Sequence, residues 1–394
     1  MVWIAVVSAA AWGWLLLGQG FFWRTDVRLP PGRAPHVWPP VAVVVPARDE
    51  AGMLPLSLPS LLTQDYPGPF EVFLVDDGST DGTGALAREL GERYGGPRLT
   101  VTSPGEPPDG WTGKLWAVRH GMRLARGGAP RYLLLTDADI AHEPGSLREL
   151  VAAAETGGHD LVSLMARLRV ASAWERLVVP AFVYFFAQLY PFRRVRRSGS
   201  RTAAAAGGCV LLRSAAAERA GVPEVIRHAV IDDVSLARAV KSTGGRIWLG
   251  LADRVHSVRP YPRLGDLWRM VARSAYCQLR YQPLLLVGTV AGLVVVYLVP
   301  PMAVVAGLWA RPPSVAAALL GAFGWLVMTV TYVPVLRYYR QSLWLAPTLP
   351  FTALLYLLMT VDSAVRHHRG RGAAWKGRTY AGPGRAPRVA PEER

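Results

Sequence analysis

Hydrophobic positions fall into two patterns in this chain: short runs closed by acids or glycine through the middle, and long blocks almost free of charge at both ends. In the middle, Val41–Val45 is stopped by Pro46, Phe70–Val75 by Asp76, Asp77 and Gly78, and Tyr132–Leu135 by Thr136 and Asp137. Continuous apolar runs of this kind suit strands covered on both faces, as in a parallel sheet. Asp81–Tyr94 and Lys114–Arg126 read as helices between them, with further short strands at Leu99–Thr102 and Asp160–Met165. The alternation predicts a doubly wound α/β sheet. Ligands of such sheets bind beyond the carboxyl ends of the strands, where these acids fall.

The end blocks predict membrane helices. Met1–Trp23 is uncharged, long enough for a span of about 20 residues. No basic segment precedes it and no convincing small-residue cleavage site follows, so a retained anchor is expected rather than a signal peptide. Leu284–Ala310, Val315–Leu336 and Leu343–Val365 follow the middle region, with Asp362 the only acid inside them and Pro300 and Pro301 placed to kink the first. The expected division is an anchor at 1–23, a soluble domain at 24–282, a membrane block at 283–365 and a basic, partly disordered tail at 366–394. Residues 262–282 mix Trp268, Met270 and Tyr276 with Arg269, Arg273 and Arg280, the composition of an interfacial helix. Leu177–Phe192 is uncharged, aromatic-rich and short for a span. It fits either a buried core helix or a segment at the membrane interface beside a lipid acceptor.

Arg24, Arg28 and Arg33 follow the first span and place the soluble domain on the cytoplasmic side of a bacterial-type inner membrane. The tail, with Arg366, Arg369, Arg371, Lys376 and Arg378, belongs on the same side. Three full crossings would put it on the other, so one block must be re-entrant. The last, interrupted by Pro347 and Pro350, is the expected one.

Net charge is +16, from 44 basic against 28 acidic residues, yet the basic positions are not interleaved with aromatics on a nucleic-acid motif. Many lie beside apolar spans, where anionic lipid accounts for them, and no nucleic-acid partner is expected. The two cysteines, Cys209 and Cys277, form neither a disulfide framework nor a zinc site.

Candidate chemistry sits in the acids. Asp137 and Asp139 in TDAD, one residue apart at a strand end, project in the same general direction and can share a hydrated Mg²⁺ or Mn²⁺ with a diphosphate. Asp76 and Asp77 offer acceptors to a ribose or base, although the same residues with Gly78 and Gly82 would serve a turn. Lys114, in GWTGK, is one of three lysines, with Lys241 and Lys376, in an arginine-dominated chain, and its compact ammonium suits a diphosphate. Asp232 and Asp233 open an apparent helix. They either favour its dipole or supply a base for an acceptor hydroxyl.

In this order and spacing, VVVPARDE, VDDGSTDGT, GWTGK, TDAD and IDDVSLAR resemble the motifs of family 2 glycosyltransferases with the GT-A fold, a Rossmann-like sheet. WKGRTY near the C-terminus also recurs in membrane-bound members, and the likeness is greatest to the hopene-associated glycosyltransferases. The resemblance implies an inverting, metal-dependent transferase acting on a nucleotide-sugar, with a UDP-sugar favoured, and on a hopanoid or polyisoprenoid-type lipid. It assigns Pro46, Ala47, Arg48, Glu50, Asp76, Asp77, Lys114 and Asp137 to the nucleotide-sugar, Asp139 to the metal, and Asp233, with Asp232 beside it, to catalysis as general base. Processive synthases of the family carry QxxRW before their membrane block, where this chain reads CQLRY at Cys277–Tyr281. A single transfer is therefore expected rather than a polymer; a non-catalytic GT-A protein is the other alternative. His256, in RVHSVRPY, could reach the metal or diphosphate, but such a histidine is more often structural and is left out of the metal set.

Overall fold

A computed structural model describes residues 1–369 and, beyond them, two short strands at Ala374–Trp375 and Arg378–Thr379 that pair antiparallel. The rest of WKGRTY and of the tail lies outside the described residues.

One eight-stranded sheet carries the soluble region: β1 (Val41–Ala47), β2 (Phe70–Asp76), β3 (Leu99–Thr102), β4 (Tyr132–Thr136), β5 (Ile140–His142), β6 (Leu161–Arg167), β7 (Cys209–Arg213) and β8 (Ile247–Ser257), in the spatial order β3-β2-β1-β4-β7-β6-β8-β5. The half β3-β2-β1-β4 is parallel, as the apolar runs predict. Val43, Val44 and Val45 are fully buried, and each such side chain stabilises by roughly 1.5–3 kcal/mol. The other half is mixed, because β7 runs antiparallel to both β4 and β6. Strand β1 also continues through Pro46 to Ala47. Its ladder with β4 ends at Val44, so a residue without an N–H is accommodated there.

The expected helices form with small shifts that their caps explain. The helix at Thr83–Tyr94 starts after Asp81, whose carboxylate accepts from the Thr83 N–H, and Thr112 caps Gly113–Ala125 through the Leu115 N–H. The uncharged segment becomes a helix at Ala173–Leu189, opened by a capping box between Ser172 and Glu175. Glu175 is fully buried, and its second oxygen accepts from the Tyr261 N–H at 2.6 Å. The interfacial helix expected over 262–282 is instead two helices, Leu264–Ala272 and Ala275–Gln278, broken at Arg273 and Ser274.

Three C-terminal helical segments, Pro283–Trp309, Val315–Tyr338 and Leu343–His368, are long and apolar enough to cross a membrane. The N-terminal helix spans only Val2–Leu17 rather than the whole of 1–23, about 24 Å at 1.5 Å per residue. It joins the bundle through Trp12, whose indole donates to the Val296 carbonyl at 2.7 Å. That carbonyl lies in a π-turn at Val294–Leu298, a local widening that frees backbone acceptors for an outside partner. Gly307 and Gly321 lie so close to the facing backbone that a Cβ at either would come within 3.0 Å of it, the small-residue packing of membrane helices.

The last segment begins and ends against the soluble domain. The preceding helix ends where Tyr338 donates to the Ala252 carbonyl of β8. From there the chain doubles back along that helix until the Pro347 carbonyl accepts from the Trp325 indole at 3.0 Å, about 20 Å from Tyr338 at 1.5 Å per residue. The Leu349–His368 helix then returns, so that Asp362 accepts from the Trp268 indole at 2.7 Å and Ser363 from the Tyr276 N–H at 3.0 Å. The Ala173–Leu189 helix lies against this bundle, with Tyr184 bonded to Thr331 at 2.8 Å and the Val178 carbonyl accepting from Tyr356 at 3.1 Å. Much of that segment is buried, as expected of a core helix.

Candidate active site

The parallel strands deliver their acids to one edge of the sheet. Asp76 ends β2, Asp137 follows β4, and Arg48, Asp49 and Glu50 follow β1. The helix at Asp232–Ser242 brings Asp232 and Asp233 to the same cleft, which Pro46, Lys114, Thr136, Asp137 and Gly207 also line.

Within the cleft, Lys114 is the hub. Its ammonium lies 2.8 Å from Asp137 Oδ1 and 3.0 Å from Asp232 Oδ2. Burial alone would lower the lysine's pKa, but the two carboxylates outweigh it and hold the group well above its ordinary range. Asp137 is nevertheless raised, by burial and by the nearby Asp139 and Asp232 against the pull of Lys114. Asp233 is held differently: Oδ2 accepts from the Gly207 N–H at 2.9 Å and Oδ1 from the Val234 N–H at 2.7 Å. Burial and the Asp232 charge push its carboxyl up to about 7, against Lys114 and the two amides. A carboxyl near 7 is matched to general-base work at neutral pH.

Beside the cleft, at Asp139 two residues after Asp137, Arg259 gathers acids as Lys114 does. Its Nε lies 2.7 Å from Asp139 Oδ2 and its Nη2 lies 2.6 and 2.5 Å from the two Glu50 oxygens. Burial would lower the guanidinium, and the two acids raise it instead. The antiparallel pairing of β5 with β8 puts Arg259 here: Ile140 opposes Ser257, and the Val258 N–H donates to the Asp139 carbonyl at 2.9 Å.

The remaining predicted residues divide. Asp76 accepts from the backbone and hydroxyl of Ser79, which makes the expected turn. Asp77 is fully buried, with Arg48 Nη1 at 3.7 Å from its Oδ2 and donating to its carbonyl. Pro46 and Ala47 contribute backbone at the end of β1. His256 pairs through its backbone with Ala141 and faces His142, whose imidazole is lowered to about 3 by burial and by His256. The CQLRY segment does lie by the acid pair: the Cys277 thiol bonds to the backbone of Ile231, and Gln278 donates to the Tyr190 hydroxyl.

Sequence reasoning missed Arg259, Gly207 and Glu175. Arg259 stands three residues after His256 in RVHSVRPY, and only the β5–β8 pairing reveals its target.

Five carboxylates in and beside this cleft meet two cations: Asp137, Asp232 and Asp233 line it with Lys114, and Glu50 and Asp139 pair with Arg259 beside it. An excess of negative charge repels a bare diphosphate and suits one carried with a divalent cation. Among the described residues no three His, Cys, Asp or Glu side chains converge as a metal-holding group. Magnesium-type sites commonly use one or two carboxylates and fill their other positions with phosphate oxygens and water, so the hard-oxygen donors here fit such an ion.

The sheet and its acid-lined edge are those of a GT-A-like fold. Residues 132–365 match glycosyl transferase family group 2 and residues 42–221 match glycosyl transferase family 2, and the chain belongs to this glycosyltransferase family. A mannosyltransferase from Pyrobaculum calidifontis, solved in complex with GDP-Man and Mn2+, superposes with a TM-score of 0.52 at 20% identity over 94% of this chain and 98% of that one. At that identity the likeness is one of fold. An undecaprenyl-phosphate 4-deoxy-4-formamido-L-arabinose transferase of Pseudomonas savastanoi is 30% identical over 34% of this chain and 38% of its own length. The probable glycosyltransferase YdaM of Bacillus subtilis is 29% identical over 29% of this chain and 26% of its own length. The chain thus matches well under half the length of these curated relatives.

Proposed function

We propose that this protein moves one sugar from a nucleotide-sugar donor to a lipid acceptor at a membrane surface, inverting the anomeric centre. The observation that carries the reading is Asp233, a carboxyl pushed up to about 7 and held by two backbone N–H groups in a cleft that Asp137 of TDAD also lines. Support comes from the family membership and from relatives whose name is that of an undecaprenyl-phosphate sugar transferase.

Asp233 accepts the proton of an acceptor hydroxyl as the oxygen attacks the sugar C1 in line, and the nucleoside diphosphate leaves from the opposite face. Gly207 and Val234 hold that carboxylate in place through their N–H groups, and Asp232 keeps Lys114 beside it. Arg48, Asp76 and Asp77 would contact the nucleoside, and Pro46, Ala47 and Glu50 complete the set assigned to the nucleotide-sugar. Asp137 and Asp139 are the residues that would hold Mg²⁺ or Mn²⁺, which when bound neutralises charge on the leaving diphosphate.

The transferase unit is 24–282, with 1–23 as anchor and 283–365 as membrane block. A last segment that starts and ends against the soluble domain supports a re-entrant block and a cytoplasmic tail. The acceptor class is a hopanoid or polyisoprenoid-type lipid. The base of the donor is open between uracil and guanine.

The test is a donor screen on full-length protein in lipid nanodiscs with Mn²⁺ or Mg²⁺, scoring nucleoside diphosphate release with and without hopanoid and polyprenyl lipids. Lipid-stimulated release from one donor, lost with EDTA, supports the reading. Silence with every donor, despite measurable nucleotide binding and a supplied set of acceptors, would sink it.

A further inference from the structure

The carboxylate read as the metal ligand already holds a cation of the protein's own. Arg259 reaches Asp139 with Nε and Glu50 with Nη2, bonding three carboxylate oxygens on two separate loops. The backbone on both sides of the arginine is pinned. The Val258 N–H donates to Asp139 at 2.9 Å, the Arg259 N–H to Ser257 Oγ at 3.3 Å, and the Tyr261 N–H to Glu175 at 2.6 Å. Glu50 is buried, and its own N–H donates to Thr83 Oγ1 at 2.8 Å. The guanidinium therefore sits in a built seat.

We propose that Arg259 competes with the divalent cation for Asp139. Two positive charges at one partly buried carboxylate repel strongly, so a free metal ion is refused while the guanidinium stays. A diphosphate changes the balance, because its oxygens give an arginine the same forked acceptor geometry that Glu50 and Asp139 give it. The site thus admits its metal together with the diphosphate and discriminates against the metal alone. This inference rests on the transferase reading and assigns Arg259 as a positioning residue that sets the order of binding.

The experiment measures Mn²⁺ uptake by electron paramagnetic resonance on full-length protein in nanodiscs, with and without nucleoside diphosphates. Without nucleotide, R259Q should bind Mn²⁺ at least about tenfold more tightly than wild type, and adding D139N to R259Q should remove that site. With nucleoside diphosphate, wild type should gain affinity by a similar factor. Equal Mn²⁺ affinity of wild type and R259Q without nucleotide would overturn the proposal, as would an R259Q site that survives D139N. Should R259Q fail to fold, R259K keeps a charge in the seat without the fork and should fall between wild type and the tenfold gain; parity with wild type overturns the proposal. Wild type that binds no nucleoside diphosphate with any metal defeats the transferase reading itself. Diphosphate binding combined with metal uptake indifferent to Arg259 defeats only the competition.

Discussion

The acids in the cleft and those beside it are gathered by different cations. In the cleft a lysine joins two carboxylates from segments far apart in sequence, and a third, Asp233, is left to backbone amides. Beside it a planar guanidinium ties Glu50 to Asp139. The lysine is a compact point charge that leaves Asp233 outside its ion pairs, where burial and Asp232 raise the carboxyl; the planar fork reaches three oxygens of two acids at once. On the proposed mechanism, proton transfer belongs beside Lys114 and charge neutralisation beside Arg259.

The sharpest way to break this division is Asp233→Asn. Transfer should fall by about 10³-fold or more while nucleotide binding changes by less than about threefold, measured by single-turnover product formation beside calorimetric binding. Turnover that survives the change removes Asp233 as the base. Lys114→Met comes next. It takes the lysine's charge from beside Asp233 and leaves Asp137 and Asp232 unpaired, so kcat/KM should drop by about 10²-fold and the rising limb of its pH profile should move to higher pH. A limb that stays in place would mean that Lys114 does not act on the base.

The wild-type profile is the third test. Asp233 must be ionised to accept a proton, so kcat/KM should rise as pH climbs through about 7 and level off above it. The same shift bears on stability with the opposite sign: a carboxyl raised in the folded state contributes less as pH rises from its unfolded value toward 7. Denaturant midpoints of wild type should therefore decline over that window relative to Asp233→Asn. The smallest effect expected is that of Gly207→Ala. A Cβ there meets Asp233 and Lys114 at 3.4–3.6 Å, ordinary contact, and the N–H is kept. Activity should stay within about threefold; a large loss would show that the loop needs glycine for movement.

Much of this contrast was half legible in the sequence. The acids at strand ends could be read because an apolar run closed by Asp fits the carboxyl end of a parallel strand, and β2 and β4 obey it. The short strand Leu99–Thr102 falls where its apolar pattern put it. The reversal of β7 was not legible, since strand direction is set by the length and path of the preceding connection rather than by Cys209–Arg213 itself. Arg259 was hidden for a similar reason: its target lies across a pairing between residues 140 and 257. Lys114 was singled out for a diphosphate, and its place between two acids became visible only once Asp232 and Asp137 were brought together.

Glu175 has a mechanical side. It caps the Ala173–Leu189 helix and, with its other oxygen, holds the backbone two residues beyond Arg259. The far face of that helix is keyed into the membrane bundle at Thr331 and Tyr356. Held at its N-terminus and again at Val178 and Tyr184, the helix cannot be displaced without straining one of these bonds, so a push on the apolar bundle is borne partly by the backbone beside Arg259.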